Sequence, residues 1–236
     1  MKLYKISLVA VIALTLSTSA YATLKSEKTT LKDNMVVEYN TLPSSVDSIN
    51  KAFSEGVFYA RLRTNMFMFD WKKDNYPADP SGKLMDNRAM GIGGSFLYKT
   101  APISGLSATA GLYTSQNPSG FNEDKDNVGY VKSGKDTFSR RDTSLTGRYG
   151  MSVLAQAYLQ YDYSKTSFVA GRQLFESVFT KSNDTKMIPN TFDGFTASIK
   201  DIPKTTIQLA YLNKQKLRDH TVSHDVLAFN PNDKWS

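Results

Sequence analysis

Residues 57–69 have the sequence VFYARLRTNMFMF, in which apolar and polar side chains alternate. Successive side chains of a β-strand point to opposite faces. The period of two therefore predicts a strand with one apolar face and one polar, basic face. The apolar face carries Phe58, Ala60, Leu62, Thr64, Met66 and Met68, and the polar face carries Tyr59, Arg61, Arg63 and Asn65.

Six further segments show the same alternation, at 88–99, 106–114, 152–163, 166–173, 195–199 and 205–213. In the segment 152–163, the pattern predicts Val153, Ala155 and Ala157 on the apolar face and Gln156 on the other. Most of the segments are close to the ~9–11 residues that a tilted strand needs to cross a bilayer.

The connections between these segments alternate in length. Short connections lie at 100–105, 164–165 and 201–204, and long ones at 72–87, 115–151 and 174–194. Outer-membrane barrels have short periplasmic turns and long external loops. A soluble β-sandwich rarely sorts its loops by end in this way. The sequence therefore predicts an all-β fold, an antiparallel transmembrane β-barrel.

Residues 1–22 have the pattern of a secretory signal peptide. Lys2 and Lys5 precede an apolar run at 6–16, and Ala20-Tyr21-Ala22 supplies small residues at a cleavage site. The run is shorter than the ~20 residues of a membrane-spanning helix. The remaining N-terminal segment, 23–55, is predicted to be periplasmic. Residues 23–43 show no period, and 44–55 predict a short helix that starts at Ser44 and ends before Gly56.

The composition argues against several other classes of protein. The basic residues behind the net charge of +7 are scattered, which argues against nucleic-acid binding. The chain has no cysteine, so an exported form does not rely on disulfides. His220 and His224 lie beside Asp219 and Asp225, but no serine occupies a nucleophile elbow. The sequence predicts no enzyme, no cofactor and no metal site.

Two sequence blocks resemble the signature of OprD-type outer-membrane porins. They are Gly171-Arg172-Gln173 and, after a loop, Met187-Ile188-Pro189-Asn190-Thr191-Phe192-Asp193-Gly194. Shorter similarities occur in the same order at 98–102, 112–116 and 157–161, so the resemblance spans about residues 54–213. Lys186 stands where members of the family often carry arginine.

The resemblance implies an 18-stranded barrel in the outer membrane, narrowed by an inward-folded loop. Such porins allow substrate-selective passive diffusion of small solutes, among them amino acids, carboxylates and ions, past a ladder of lumenal basic residues. Small anionic or zwitterionic solutes and outer-membrane lipid would then be the partners. Residues 56–236 would form a partial barrel domain of about seven strands, from a truncated chain or one completed by other chains. A homo-oligomer is compatible with the family.

Arg61 and Arg63 are the first candidates for a role in selectivity. On the lipid side each would cost ~2–4 kcal/mol near the midplane, so both are expected to face the lumen. They could pass a carboxylate along the pore wall, solvate a polar lumen, or pair with acidic residues of an inserted loop. Arg172, at the mouth of the loop 174–194, is either a constriction residue or a structural tie to that loop.

The loop 174–194 is the candidate constriction. Asp184, Lys186 and Asp193 are expected at its polar rim, while Pro189 and Asn190 fix its backbone shape. The basic residues of the loop 115–151, Arg140, Arg141 and Arg148, either form a vestibule for anions or are simply solvated. Two other kinds of protein remain open at this point. One is a surface adhesin that acts through its external loops, and the other is a soluble exported sandwich.

Overall fold

The computed structural model describes residues 29–69, 87–118 and 137–226, and the predicted signal peptide lies outside these ranges. Ten strands and two helices occur in the described ranges. In chain order they are β1 (Thr29–Leu31), β2 (Val37–Tyr39), α1 (Ile49–Ser54), β3 (Val57–Phe69), β4 (Asn87–Lys99), β5 (Leu106–Gln116), α2 (Arg140–Thr146), β6 (Met151–Tyr163), β7 (Thr166–Gln173), β8 (Thr191–Ile199), β9 (Ile207–Lys216) and β10 (His224–Asp225).

Strands β3 to β10 form one sheet in which each strand pairs with the next in sequence, and every pairing is antiparallel. This meander confirms the predicted all-β antiparallel fold. The two ends of β3 and the whole of β7 lie where the alternation predicted them. The sheet is open, with β3 at one edge and β10 at the other. Neither helix in the described ranges has the length and apolar composition needed to cross a bilayer.

The two faces of the sheet differ as the period of two predicts. Large apolar side chains are exposed on the outer face, including Phe58, Leu62, Met66, Leu159 and Leu209. The inner face carries Arg61 and Arg63 and is covered by the loop 174–190. The main core lies between this loop and the inner face, and consists of Leu97, Tyr113, Met151, Val153, Ala155, Met187 and Ile188.

A β-bulge in β6 corrects the predicted facing of two residues. Gly111 pairs with Gln156 and Leu112 with Leu154, so Ala155 is the extra residue. A bulge puts two residues of one strand opposite one of its partner and interrupts the alternation. Val153 and Ala155 therefore face the buried core, although the pattern predicted them on the apolar outer face with Ala157. The bulge cannot be recognised from the alternation of apolar and polar residues in the sequence.

The predicted start of the N-terminal helix is wrong. Helix α1 begins after Ser48, whose hydroxyl accepts a hydrogen bond from the Lys51 amide, and not after Ser44. Within residues 23–43, where the sequence shows no period, β1 and β2 form a hairpin in which Thr30 pairs with Glu38. Strands of three residues are too short to produce a recognisable period.

The C-terminal strands are also displaced from their predicted positions. Strand β8 begins at Thr191, four residues before the predicted start at Phe195. The PNTFDG block therefore enters the sheet, and the loop between β7 and β8 is 174–190. Strand β9 runs from Ile207 to Lys216, later than the predicted 205–213. A second irregularity, at Asp193 and Gly194 of β8, leaves Asn213 without a direct partner in the register.

Candidate functional site

The loop 174–190 is tied to the inner face by one carboxylate and two guanidiniums. Asp184 Oδ1 lies 2.5 Å from Arg63 Nη2, and its Oδ2 accepts a hydrogen bond from Arg61. The main-chain oxygen of Asp184 lies 2.6 Å from Arg63 Nη1. The side chains are 9% exposed for Arg61, 12% for Arg63 and 2% for Asp184. Of the alternatives open at the sequence level, the structure shows these arginines paired with an acidic residue of an inserted loop.

The electrostatic balance of this cluster follows from its burial. Burial alone raises the pKa of the Asp184 carboxyl, and the two adjacent guanidiniums oppose that rise by stabilising the charged form. A buried charge is tolerated when it is paired and hydrogen-bonded. Two arginines and one aspartate leave a net charge of about +1, because arginine stays protonated in proteins.

The residues that follow Asp184 fix the rest of the loop. Met187 and Ile188 belong to the main core, and Pro189 is also buried. The Lys216 ammonium donates to the Pro189 carbonyl at 2.9 Å. The Asn190 side-chain amide donates to the Lys181 carbonyl, which closes the base of the loop. Pro189 and Asn190 thus lie where a role in loop shape requires them.

Lys186 does not join the arginine–aspartate cluster. Its ammonium lies 4.2 Å from the centroid of the Phe67 ring on β3, in cation–π geometry. Phe67 is on the inner face, two positions beyond Asn65 and four beyond Arg63. Lys186 therefore interacts with the part of β3 nearest the long-loop end of the sheet. The lysine is a positive group beside the cluster rather than a member of it.

Arg172 and Asp193 form a separate ion pair on neighbouring strands. Arg172 Nε lies 2.7 Å from Asp193 Oδ1, and a second nitrogen lies 3.0 Å from Oδ2. Arg172 also donates to the Leu154 carbonyl and to the Ser223 hydroxyl. Asp193 is the third residue of β8, so it lies beside the loop 174–190 and not within it.

The register separates Arg172 from Arg61 and Arg63 on the inner face. Arg172 pairs with Ala157 and Asp193, and Ala157 pairs with Ala110. Directly paired residues share a face of the sheet. Arg172 and Asp193 therefore lie on the same face as the exposed apolar residues of β5. Arg172 is therefore a structural tie between β6, β8 and Ser223. These partners lie outside the loop 174–190, to which the sequence analysis expected a tie.

The N-terminal hairpin contributes contacts to the site that sequence reasoning missed. The Asn34 carbonyl accepts from the Asp184 amide at 2.9 Å, and the Met35 carbonyl accepts from Arg61 Nη1 at 3.1 Å. The Asn34 side chain donates to Glu176 at 2.9 Å. The hydrogen bond from Arg61 to Met35 joins residues 26 positions apart, and the one from Asn34 to Glu176 joins residues 142 positions apart. Contacts over such separations produce no local pattern that the sequence could have indicated.

Lys99 is a second residue that sequence reasoning missed. Its side chain is buried, its ammonium donates to Gln160 at 2.8 Å, and it lies 5.7 and 5.8 Å from the ring centroids of Tyr39 and Tyr158. Parity alone could have found it, because Lys99 shares the inner face of β4 with Ser95 and Leu97. The lysine is a buried cation on the inner face, near the short-turn end of the sheet.

The basic residues after residue 137 do not form one surface. Arg140 pairs with Asp219 at 3.5 Å. Thr221 donates to Asp142 at 2.8 Å, which joins α2 to the segment 217–226. Arg141 and Arg148 accept hydrogen bonds through their main-chain carbonyls, from Ser144 and Thr143 respectively. Within the described ranges, no group of His, Cys, Asp and Glu side chains has the geometry of a metal site.

Fold and site together define a class of protein. A meander with an exposed apolar outer face, a polar inner face and a loop folded onto that inner face has the architecture of part of a transmembrane β-barrel. No family model matches the sequence, and no curated protein matches it either. Comparison with solved structures is more specific.

Three solved porin structures have the same fold. OccK9 (OpdG) of Pseudomonas aeruginosa matches with a TM-score of 0.55 and 16% identity, covering 75% of this chain and 42% of that chain. OccAB3 of Acinetobacter baumannii gives 0.54 and 18%, covering 74% and 40%. A BenF-like porin from Pseudomonas fluorescens Pf-5 gives 0.51 and 12%, covering 74% and 41%.

The resemblance to OprD-type porins is thereby confirmed at the level of the fold. This chain has the fold of part of an Occ-type porin barrel, and it spans about two fifths of the length of the solved chains that it matches.

Proposed function

We propose that this chain belongs to an OprD-type outer-membrane porin and forms part of the wall and constriction of its pore. The observation that carries the proposal is the attachment of the loop 174–190 to the inner face by Asp184, Arg61 and Arg63. A loop held against the lumenal wall narrows the channel and filters solutes by size and charge. Its function would be substrate-selective passive diffusion of small solutes.

The charge of the cluster supports a preference for anionic or zwitterionic solutes. Arg61 and Arg63 together outweigh the single carboxylate of Asp184, and Lys186 adds a further positive charge near them. Positive groups in a narrow, water-poor passage attract carboxylates and disfavour cations. Amino acids, carboxylates and inorganic anions are therefore the proposed solutes. Because both arginines are engaged by Asp184, they act as a fixed positive wall and not as two free binding steps.

The location follows from the same proposal. Residues 1–22 would direct export and be removed, and residues 56–236 would belong to the barrel in the outer membrane. Outer-membrane lipid would contact the exposed apolar face that includes Leu62 and Leu159. Burial of that face in acyl chains removes the cost of exposing it to water.

The test is a pair of variants that change the charge of the cluster in opposite directions. The complete protein is reconstituted in planar bilayers, and its ion selectivity is measured from reversal potentials in a salt gradient. Asp184→Asn is expected to increase anion preference, and the double variant Arg61→Ala with Arg63→Ala is expected to decrease it. Lys200→Ala, at an exposed position outside the cluster, is the control.

The outcomes separate this function from its main alternative. Opposite shifts in the two variants, with the control unchanged, support a selective pore with this cluster at its constriction. Conductance with identical selectivity in all variants contradicts the role of the cluster. A complete protein that inserts into bilayers and never conducts contradicts the porin function and favours an adhesin.

A further inference from the structure

The hairpin of β1 and β2 lies against the inner face of the sheet, together with the loop 174–190. Val37 packs against the main core, whose members include residues of β4, β5, β6 and the loop. The hairpin is closed by two main-chain hydrogen bonds, from Lys32 N to Val36 O at 3.0 Å and from Met35 N to Lys32 O at 2.8 Å. The Asn34 carboxamide oxygen accepts from the Val36 amide at 3.1 Å, which is a local turn of the kind asparagine favours.

The depth of the hairpin follows from its contacts with the strands. Tyr39 lies beside Lys99, at the short-turn end of β4. Lys99 pairs with Val57, the first residue of β3. The tip of the hairpin reaches Arg61, four residues further along β3. Four residues of a strand span ~13 Å. The hairpin therefore rises from the short-turn end of the sheet to the level of the arginine–aspartate cluster.

The tip of the hairpin and the loop 174–190 are bonded to each other. The Asp184 amide donates to the Asn34 carbonyl at 2.9 Å, and the Asn34 side chain donates to Glu176 at 2.9 Å. Arg61 donates both to Met35 of the hairpin and to Asp184 of the loop. One guanidinium thus joins the two inserted segments, and displacement of either segment removes partners of a buried charge.

The side of the hairpin that faces away from the sheet is charged. Lys32 and Glu38 form an ion pair at 3.2 Å, with 49% and 53% of their side chains exposed. Asp33 is exposed at the turn. One lysine and two carboxylates give this surface a net negative charge, whereas the cluster behind it is net positive. The hairpin therefore lies between Arg61 and the solvent. Its exposed side presents acidic groups there in place of the guanidinium.

We propose that residues 29–39 are a second constriction element of the pore, locked to the loop 174–190 at Asn34, whose acidic side chains limit the anion preference set by Arg61 and Arg63. This proposal rests on the proposed porin function for its effect on permeation. The position of the hairpin inside the barrel is independent of that function and can be tested separately.

The position is tested by cross-linking, which the absence of native cysteine makes specific. The variant Asn34→Cys with Glu176→Cys is prepared in the complete protein and treated with a short bifunctional thiol reagent. A cross-link that changes electrophoretic mobility is expected. The matched control is Thr30→Cys with Glu176→Cys, because Thr30 lies about 13 Å from the tip along the hairpin. A cross-link in the control alone, or in neither variant, overturns the proposed position.

The effect on permeation is tested with two further variants in planar bilayers. Replacement of residues 29–39 by a Gly/Ser segment of equal length is expected to raise single-channel conductance about twofold and to increase anion preference. Asp33→Asn with Glu38→Gln keeps the hairpin and is expected to increase anion preference with conductance almost unchanged. This second variant keeps the test valid if the first fails to fold.

The outcomes distinguish the two proposals. Unchanged conductance on replacement and unchanged selectivity in the charge variant overturn the constriction role of the hairpin. A protein that cross-links between Asn34→Cys and Glu176→Cys but never conducts contradicts the porin function, and it also removes the role in permeation while leaving the hairpin in place.

Discussion

The Arg63 guanidinium holds Asp184 at two different atoms. One nitrogen lies 2.5 Å from the carboxylate oxygen Oδ1, and the other lies 2.6 Å from the main-chain oxygen. A contact with the side chain alone would fix a charge, whereas a contact with the main chain as well fixes the backbone of the loop. The planar, forked geometry of arginine allows both contacts at once, and lysine lacks that geometry. Arg63 is therefore an anchor for the loop 174–190 as well as a positive charge on the inner face of the sheet.

We expect Arg63→Ala to release this anchor. The variant leaves the main-chain oxygen of Asp184 without a donor and removes one of two guanidiniums from its carboxylate. The cost is roughly 1–3 kcal/mol, because Arg61 still neutralises the carboxylate. The measurements are the free energy of unfolding in urea and the rate of protease cleavage within 174–190. Arg63→Lys is expected to recover part of the loss. Cleavage at the wild-type rate in Arg63→Ala would contradict the anchoring role.

Two adjacent residues of β9 test the sidedness of the sheet. Leu209 pairs with Ala197, and Ala210 pairs with Thr196, so they lie on the outer and inner faces at nearly the same depth. Leu209→Lys places a charge in lipid and is expected to cost ~2–4 kcal/mol, whereas Ala210→Lys places it in water and is expected to cost far less. Folding into lipid vesicles, followed by urea titration, measures both. Equal losses of stability in the two variants would mean that both faces of the sheet are in contact with the same solvent.

Much of the fold follows from local alternation in the sequence. Residues such as Phe58, Leu62 and Met66 share a parity, and the structure exposes all three on the outer face. The alternation of short and long connections likewise predicted an antiparallel meander. Both features depend only on neighbours in sequence, and the period of two is strict within a regular strand. The face of Arg61 and Arg63 could be predicted for the same reason.

The candidate site could be predicted only in part, because it depends on contacts between distant residues. Asp184 was expected at the rim of the loop, but nothing local indicates that it meets Arg61, 123 positions away. The hairpin contact at Asn34 is equally non-local, and its strands are too short to show a period. Asp193 was expected at the rim of the loop because the next alternating segment begins only at Phe195, whereas pairing with β9 extends β8 back to Thr191, opposite Lys216.

The bulge at Ala155 provides a test of how the core is positioned. Because Ala155 is the extra residue, its deletion closes the bulge and leaves Met151 and Val153 on the inner face. Insertion of one alanine between Val153 and Leu154, in contrast, turns Met151 and Val153 from the core to the outer face or shifts the register of the strand. We expect a loss of roughly 2–5 kcal/mol, because two large side chains leave a packed core. Unfolding in urea measures the loss. Leu154→Ala, on the exposed face, is the control and is expected to cost much less.

The pair of Arg172 and Asp193 is expected to act on stability and not on permeation. In a double-mutant cycle of Arg172→Ala and Asp193→Ala, we expect a coupling energy of roughly 1 kcal/mol, because both side chains are about one quarter exposed and water screens the pair. The double variant has the same net charge as the parent and should keep its ion selectivity. A shift in the selectivity of the double variant would instead place Arg172 in the pore.

Acidification is expected to loosen the segment 217–226 from α2 through His220. Burial lowers the pKa of His220, and the neighbouring His224, Lys216 and Arg141 lower it further, while Asp219 opposes them. The two imidazole rings lie 5.0 Å apart in edge-to-face geometry. A histidine whose pKa is lowered in the folded state binds a proton more weakly there than in the released state. Stability from this contact is therefore fully present above the ordinary pKa of about 6.5 and is lost as the pH falls below it.

Hydrogen exchange of residues 217–226 measures this effect between about pH 7.5 and pH 5.5, after correction for the intrinsic dependence of exchange on pH. Exchange is expected to be faster at the lower pH in the parent protein and to change little in His220→Gln. Residues 207–212 of β9 serve as an internal reference, because their protection comes from the ladder with β8. An equal increase in exchange in the parent and in His220→Gln would assign the acid response to another group.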